Sequence, residues 1–204
     1  MKQRWWHPSS LLAHFLLVVG SVLMVFPFVW MLLSSFKDNR EIFQYHFFPK
    51  TWTFANYQEV IFNTDFPRWF LNSIIVAGMT TITVLFFCSL VGYVLAKLRF
   101  PGKALVFILI LSTLMVPTEM LVIPWFVMSA DYGWINTYWG IAFPGLITGF
   151  GVFLMRQFFT TIPTDLFDAA RIDGMHEFGL YWFIGLPLVR PALAALGIFS
   201  FIGH

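Results

Sequence analysis

Residues 11 to 33, LLAHFLLVVGSVLMVFPFVWMLL, run for 23 positions without one charged side chain. A stretch this apolar leaves water, and its backbone must then pair its own N–H and C=O groups, which a single segment does only as an α-helix. At about 1.5 Å per residue it covers roughly 34 Å, enough for a hydrocarbon core of about 30 Å. Three further apolar runs, at about 73–95, 104–128 and 139–159, have a comparable reach. The chain is therefore expected to be all-α, a polytopic transmembrane helical bundle. Composition agrees: 59% of the residues are hydrophobic and only 11% charged, too few charges to cover a surface facing water.

Several function classes drop out at this stage. The net charge is +2, and the Lys and Arg residues are scattered among acids or flank apolar runs, so there is no basic stripe and no nucleic-acid partner is expected. The single cysteine, Cys88, excludes an internal disulfide and argues against a cysteine-based metal cluster. It reads as a packing or lipid-facing residue. The basic start, with Lys2 and Arg4, resembles that of a secretory signal. The apolar run behind it is too long, however, and no small-x-small cleavage site follows, so it reads as an uncleaved first span.

Orientation follows from the loops. Lys97, Arg99 and Lys103 crowd the short KLRFPGK loop after the second run, and Lys2 and Arg4 precede the first. Both regions are expected in the cytoplasm by the positive-inside rule. The loop SADYGWINTYWG has no Lys or Arg and is rich in interfacial aromatics, which points outward. Residues 37–71 are then exterior, with a short helix expected at Ala55 to Phe62. The natural division is an N-terminal span and exterior segment, 1–71, followed by a transmembrane core, 72–204.

The stretch TDLFDAARIDGMHEF, 164–178, is a charged interruption in this apolar chain and is expected on the cytoplasmic side. Thr164 can cap a helix, Asp165 lies in its first turn where the helix dipole favours an anion, and Gly174 can end it in a left-handed conformation. Leu166, Ala169, Ala170 and Asp173 recur at helical spacing, and the two alanines leave room for another backbone. Such a helix is suited to docking a soluble partner.

At these residues the chain resembles the membrane subunit of bacterial ABC importers, most closely the carbohydrate-uptake permeases of the maltose and glycerol-3-phosphate type. The loop named for its Glu-Ala-Ala pattern, with its glycine and later Ile-x-Leu-Pro, is matched by Asp168, Ala169, Ala170, Gly174, Ile184, Leu186 and Pro187. NYQEVIF, NSIIVAG, GYVLAKLRFPGK, MVPTE, FLMRQFFTTIP and LPLVRPALAAL agree as well. The resemblance implies a multi-pass protein of the bacterial inner membrane with a cytoplasmic coupling helix. It implies ATP-binding ABC subunits, a second permease subunit, an extracytoplasmic solute-binding protein and a small polar solute as partners, besides membrane lipid. The solute class it implies is a sugar, oligosaccharide or polyol phosphate. The chain itself is expected to be non-catalytic, with no cofactor and no metal, ATP being bound by its partners. Contacts to the ATPase subunit are expected at Asp165, Asp168, Ala169, Ala170, Asp173, Gly174 and Met175. Asp168 departs from the usual glutamate by one methylene and keeps the charge.

Pro187, Arg190 and Pro191 mark the near boundary of a fifth span, and the 13 residues from Ala192 to His204 cover only about 20 Å. Because the family continues further, the chain is expected to be C-terminally incomplete. Glu119, in the third run, is an intramembrane carboxylate and so a functional candidate. It either lines a translocation cavity and hydrogen-bonds a polar solute, or reaches water where Pro117 and Pro124 break the helix. An ion-gradient-driven secondary transporter using Glu119 is the alternative function, against which stands the absence of paired intramembrane charges. His176 and Glu177 lack the second histidine of a zinc HExxH site. His14 and the aromatics Trp125, Tyr132, Trp134, Tyr138 and Trp139 read as anchors and packing.

Overall fold

The computed structural model describes residues 8–44 and 46–203; the expected cytoplasmic placement of Lys2 and Arg4 lies outside them. Among the described residues the secondary structure is helical, without strands. Backbone contacts separate two compact units, residues 1–69 and 70–204.

In the first unit, α1 (Pro8–Ser35) is a 28-residue apolar helix with Pro27 inside it. Its side chains are exposed almost throughout, as suits a helix whose solvent is lipid. The chain then folds back on the helix end. Asn56 donates its side-chain amide to Ser35 O at 3.0 Å and to Lys37 O at 2.8 Å, satisfying carbonyls that a helix end leaves orphaned. Lys37 is buried; its ammonium donates to His46 O and sits 4.6 Å from the centre of the Trp30 ring. Phe36 packs against Trp52, Phe54 and Tyr57 with ring centres 5.4–5.6 Å apart. The short helix α2 spans Ala55–Phe62, the residues expected.

In the second unit the spine is the long helix α3 (Phe66–Lys97), from residue 70 onward. Its buried positions include Val76, Thr80, Val84, Cys88, Gly92 and Leu95, three or four residues apart and so on one face. That face meets α7 (Gly149–Thr161) with almost no gap. A Cβ on Gly92 would lie 2.7 Å from Met155 Cβ and 2.8 Å from Arg156 N, and one on Gly151 would lie 2.7 Å from Cys88 Sγ. In lipid, where the hydrophobic effect does not drive helices together, such close backbone approach through small residues is what holds a pair. Cys88 is thus a packing residue, fully buried, its Sγ 3.6 Å from Thr148 O.

The later runs are not continuous rods. Instead of one helix over 104–128, α4 (Lys103–Thr113) stops, a 3-10 turn covers Thr118–Leu121, and α5 (Val122–Asp131) leaves at 88°. Pro117 causes the break: it has no N–H for the carbonyl four residues back, and its ring disfavours helical backbone before it. Between 139 and 159 the chain likewise divides into α6 (Tyr138–Ala142), a 3-10 turn at Phe143–Gly145 containing Pro144, and α7, bent by 47°. Thr148 restarts the helix, its Oγ1 accepting from Gly151 N at 3.0 Å. After α8 (Thr164–Ile172) come α9 (Glu177–Gly179), a π-helical stretch Leu180–Gly185, and α10 (Leu186–Leu188). The final helix α11 (Arg190–Gly203) turns away by 80°. Pro187 and Pro191, four residues apart, each lack the N–H that would donate one turn back along the helix, the ordinary cause of such a kink. Among the described residues two helices are long and apolar enough to cross a membrane singly, or up to five if each bent pair counts as one span.

Candidate coupling site

The charged interruption forms the expected helix, turn and second helix. Ile162 and Pro163 are both extended, with ψ of 130° and 136°, so α8 starts immediately after the proline. Thr164 is consequently the first helical residue and not the cap; Pro163 takes that place and no side chain caps the helix. Asp165 lies in the first turn, where its charge opposes the helix dipole's positive end. The far end closes as a Schellman turn: Met175 N donates to Ala170 O at 3.0 Å, Gly174 N to Arg171 O at 3.0 Å, and Gly174 has φ +86°. No atom stands within 4 Å of where a Gly174 Cβ would be. Its positive φ, and not crowding within the chain, is what calls for glycine.

The two faces of α8 differ sharply. Phe167 is fully buried, its ring 5.9 Å from that of Tyr93 on α3. Lys97, at the end of α3, has its ammonium 4.9 Å from the Phe167 ring centre and donates to Ile162 O at the α7 terminus. Ala170 and Met175 pack, half-buried, on the same core. Ala170 lies three residues beyond Phe167, on the same side of the helix, and Met175 follows the Gly174 turn; both were expected among the contacts to a partner, and both keep part of their surface exposed. Leu166, Ala169 and Ile172 point outward with Asp165, Asp168, Asp173 and Gly174. Ile172 is 87% exposed and Leu166 50%, an apolar stripe with Ala169 in its middle.

A chain of polar contacts ties this helix to the segment behind it. Arg171 donates from Nη1 to Asp168 Oδ1 at 2.6 Å, and from Nε and Nη2 to the two Glu177 oxygens at 2.8 and 3.3 Å. Tyr93 donates its hydroxyl to Glu177 Oε2 at 3.1 Å. Glu177 foremost, with Asp168, holds the Arg171 guanidinium charged even beyond its ordinary range. The Arg171, Glu177 and Asp168 side chains are 33%, 45% and 61% exposed, so such pairs are worth only about 0.2–1 kcal/mol each. They orient the turn more than they stabilise the fold. A cleft of 530 Å³ opens between this cluster and Lys97, Arg99 and Phe100.

Sequence reasoning missed Phe167, Arg171 and Glu177 as positioning residues; only Arg171 and Glu177 had a local signal, opposite charges across a turn. It also passed over Arg156, a cation inside a membrane helix, which by its location alone was a candidate. Glu119 lies in the 3-10 turn that interrupts the third run and is exposed. The 770 Å³ hollow nearby is lined by Thr118, Trp125, Phe126, Ser129, Trp134 and Asn136 among others, without Glu119. Of the aromatics expected as anchors, Tyr138 hydrogen-bonds Asn72 Oδ1 at 2.8 Å and Tyr132 packs on Trp134 with ring centres 5.0 Å apart. Among the described residues there is no group of three or more His, Cys, Asp or Glu that could hold a metal.

Comparison with known proteins supplies the context for this arrangement. The chain is 34% identical over 195 residues to a diacetylchitobiose uptake system permease protein of Streptomyces coelicolor, covering 94% of this chain and 65% of that protein. It is 36% identical over 182 residues to an arabinooligosaccharides transport system permease protein of Bacillus subtilis, covering 86% of this chain and 64% of that protein. A crystal structure of a bacterial ABC transporter involved in import of the acidic polysaccharide alginate superimposes with a TM-score of 0.86 at 25% identity, over 97% of this chain and 72% of that one. The chain therefore spans about two thirds of the length of these relatives. Residues 88–204, which contain α8 and its Gly174 turn, match the family described as binding-protein-dependent transport system inner membrane component, and the chain belongs to that family.

Proposed function

We propose that this chain is the non-catalytic, membrane-spanning permease subunit of a binding-protein-dependent ABC importer for a sugar, oligosaccharide or polyol phosphate. ATP hydrolysis by partner subunits drives alternating access, and α8 receives the motion. One observation carries the reading: outside the spans stands a short helix with an exposed Leu166, Ala169, Ile172 stripe and acidic flanks, while its opposite face is anchored by buried Phe167. A free amphipathic face of this kind, held rigidly by the membrane core, is suited to a cleft on a soluble subunit. Asp165, Asp168 and Asp173 supply charge around the stripe, and Gly174 lets the chain turn sharply back toward the spans. The partners in this reading are two ATP-binding subunits, a second permease and an extracytoplasmic solute-binding protein. The N-terminus and α8 share the cytoplasmic side. An ion-driven carrier built on Glu119 has less support, because that carboxylate is exposed in a broken segment and outside the lining of the neighbouring hollow.

The test is to purify the full-length protein from its native membrane with a tag, identify copurifying subunits, and reconstitute the complex with radiolabelled diacetylchitobiose and arabinotriose as probes. An ATP-hydrolysing subunit should copurify, and uptake should require ATP. Gly174→Val forces a β-branched residue into positive φ, at a local cost of about 1 kcal/mol or more. It should leave membrane insertion intact and lower uptake per ATP hydrolysed by about tenfold, or release the ATPase. Uptake that survives ATP depletion and collapses with an ionophore would overturn the reading.

A further inference from the structure

Arg156 is a cation on a membrane helix that has no ion-pair partner among the described residues. It lies on α7, past the middle of an apolar segment, and its guanidinium carbon is 3.9 Å from the centre of the Phe107 ring on α4. Its Nε–H is buried and has no hydrogen-bond acceptor. Stacking on a ring uses the flat face of a guanidinium, leaving the N–H donors around its edge available. No ion pair among the described residues includes it. Burying an ion in this condition is costly, and arginines at membrane depth characteristically meet an anion or line a polar path.

The surroundings say which anion fits. Arg156 and Lys103 line a 460 Å³ groove whose remaining walls are Ala104, Phe107 and Ile108. Lys103 donates to Ala96 O at 3.3 Å and Leu98 O at 2.9 Å, so the third proton of its ammonium is uncommitted. Two cations therefore sit above a wholly hydrocarbon floor. That floor continues onto α4, where Leu105, Ile108 and Leu109 are 57–61% exposed. A protein carboxylate would arrive with polar backbone and meet nothing to pair it. A phosphate with an acyl chain attached matches both halves, since the guanidinium fork suits phosphate oxygens and the chain can lie along Ala104 and Ile108.

We propose that the groove between α4 and α7 is a binding site for an anionic phospholipid, whose phosphate is held by Arg156 and Lys103. The proposal stands independently of the transport function, because it needs only the membrane-embedded chain. The test is native mass spectrometry of the full-length protein released from nanodiscs containing equal phosphatidylglycerol and phosphatidylethanolamine. The parent should retain phosphatidylglycerol in preference. Arg156→Gln should lower that preference about fivefold, the effect of one cation near a lipid headgroup, and Lys103→Gln should act similarly. Arg156→Lys, which keeps the charge, should retain most of it. Arg99→Gln, an exposed change outside the groove, should leave it unaltered. A monodisperse elution profile for each variant separates lost lipid from lost fold. Equal retention of both lipids by the parent, an undiminished preference in Arg156→Gln, or displacement by millimolar inorganic phosphate would overturn the lipid assignment. So would a crosslink from position 156 that captures a protein carboxylate in place of lipid.

Discussion

α1 and α3 are both long apolar helices, of 28 and 32 residues, and their most apolar stretches are of nearly equal hydropathy. Yet a third of the most apolar stretch of α3 is buried in protein and none of that of α1. The difference lies in the small and weakly polar residues. In α3 they fall on one face and are used: Gly92 admits the α7 backbone, Cys88 meets Gly151, and Ser89 shares a 2.8 Å hydrogen bond with the Tyr181 hydroxyl. In α1, Gly20 has no atom within 4 Å of where its Cβ would be, and Ser21 donates only to Leu17 O within its own helix. Apolar length decides that a helix enters the bilayer, whereas a stripe of small residues decides that it packs once there.

Substitutions at matched positions sharpen this contrast. Gly92→Val should have the largest effect, because the new side chain meets Met155 Cβ and the Arg156 backbone, of which the backbone cannot rotate away. A loss of about 3 kcal/mol is expected, read as a lowered unfolding midpoint in mixed micelles; a midpoint equal to the parent's would show that α3 and α7 are not in contact. Next comes Ser89→Ala, which strands the buried Tyr181 hydroxyl and should cost about 1 kcal/mol in the same assay. If Tyr181→Phe, made alone and together with Ser89→Ala, adds its full cost to the double variant, the two hydroxyls do not act as a pair. The smallest losses are at Gly20→Ala and Ser21→Ala in α1: Ser21→Ala should stay within about 0.5 kcal/mol of the parent, and Gly20→Ala should stabilise by up to about 1 kcal/mol. A large loss at either would mean that α1 has a protein neighbour on that face.

The α8 segment was partly legible for a related reason. Gly174 announced its turn, since positive φ is a local demand that few residues meet. Asp165 announced a helix start through an equally local charge effect. The orientation of α8 was not local. Leu166, Ala169 and Ala170 share a helical repeat with Phe167 close by, and either phase gave an amphipathic helix. Burial of Phe167 beside Tyr93 selected one of them and set Ala170 half-buried on the same side. Likewise Arg171 and Glu177 are six positions apart across a turn, and Glu177 accepts in addition from a Tyr93 hydroxyl more than 80 residues earlier in the chain.

Uninterrupted apolar runs, the basic loop after α3, the α2 helix and the glycine-closed turn of α8 could all be read along the chain. Each rests on an interaction between a residue and its solvent, or between near neighbours in sequence. Whether the third and fourth runs stay straight was a different kind of question. Prolines are common in membrane helices, and Pro27 remains inside α1 while Pro117 and its flanks open an 88° break between α4 and α5. Freed backbone groups can be re-satisfied in several geometries, and packing chooses among them. The same holds for Arg156: its charge is plain in the sequence, but its contact with Phe107 and its lack of an acceptor arise only when α4 and α7 come together, because a cation's partners are set by distance in space and not by position along the chain.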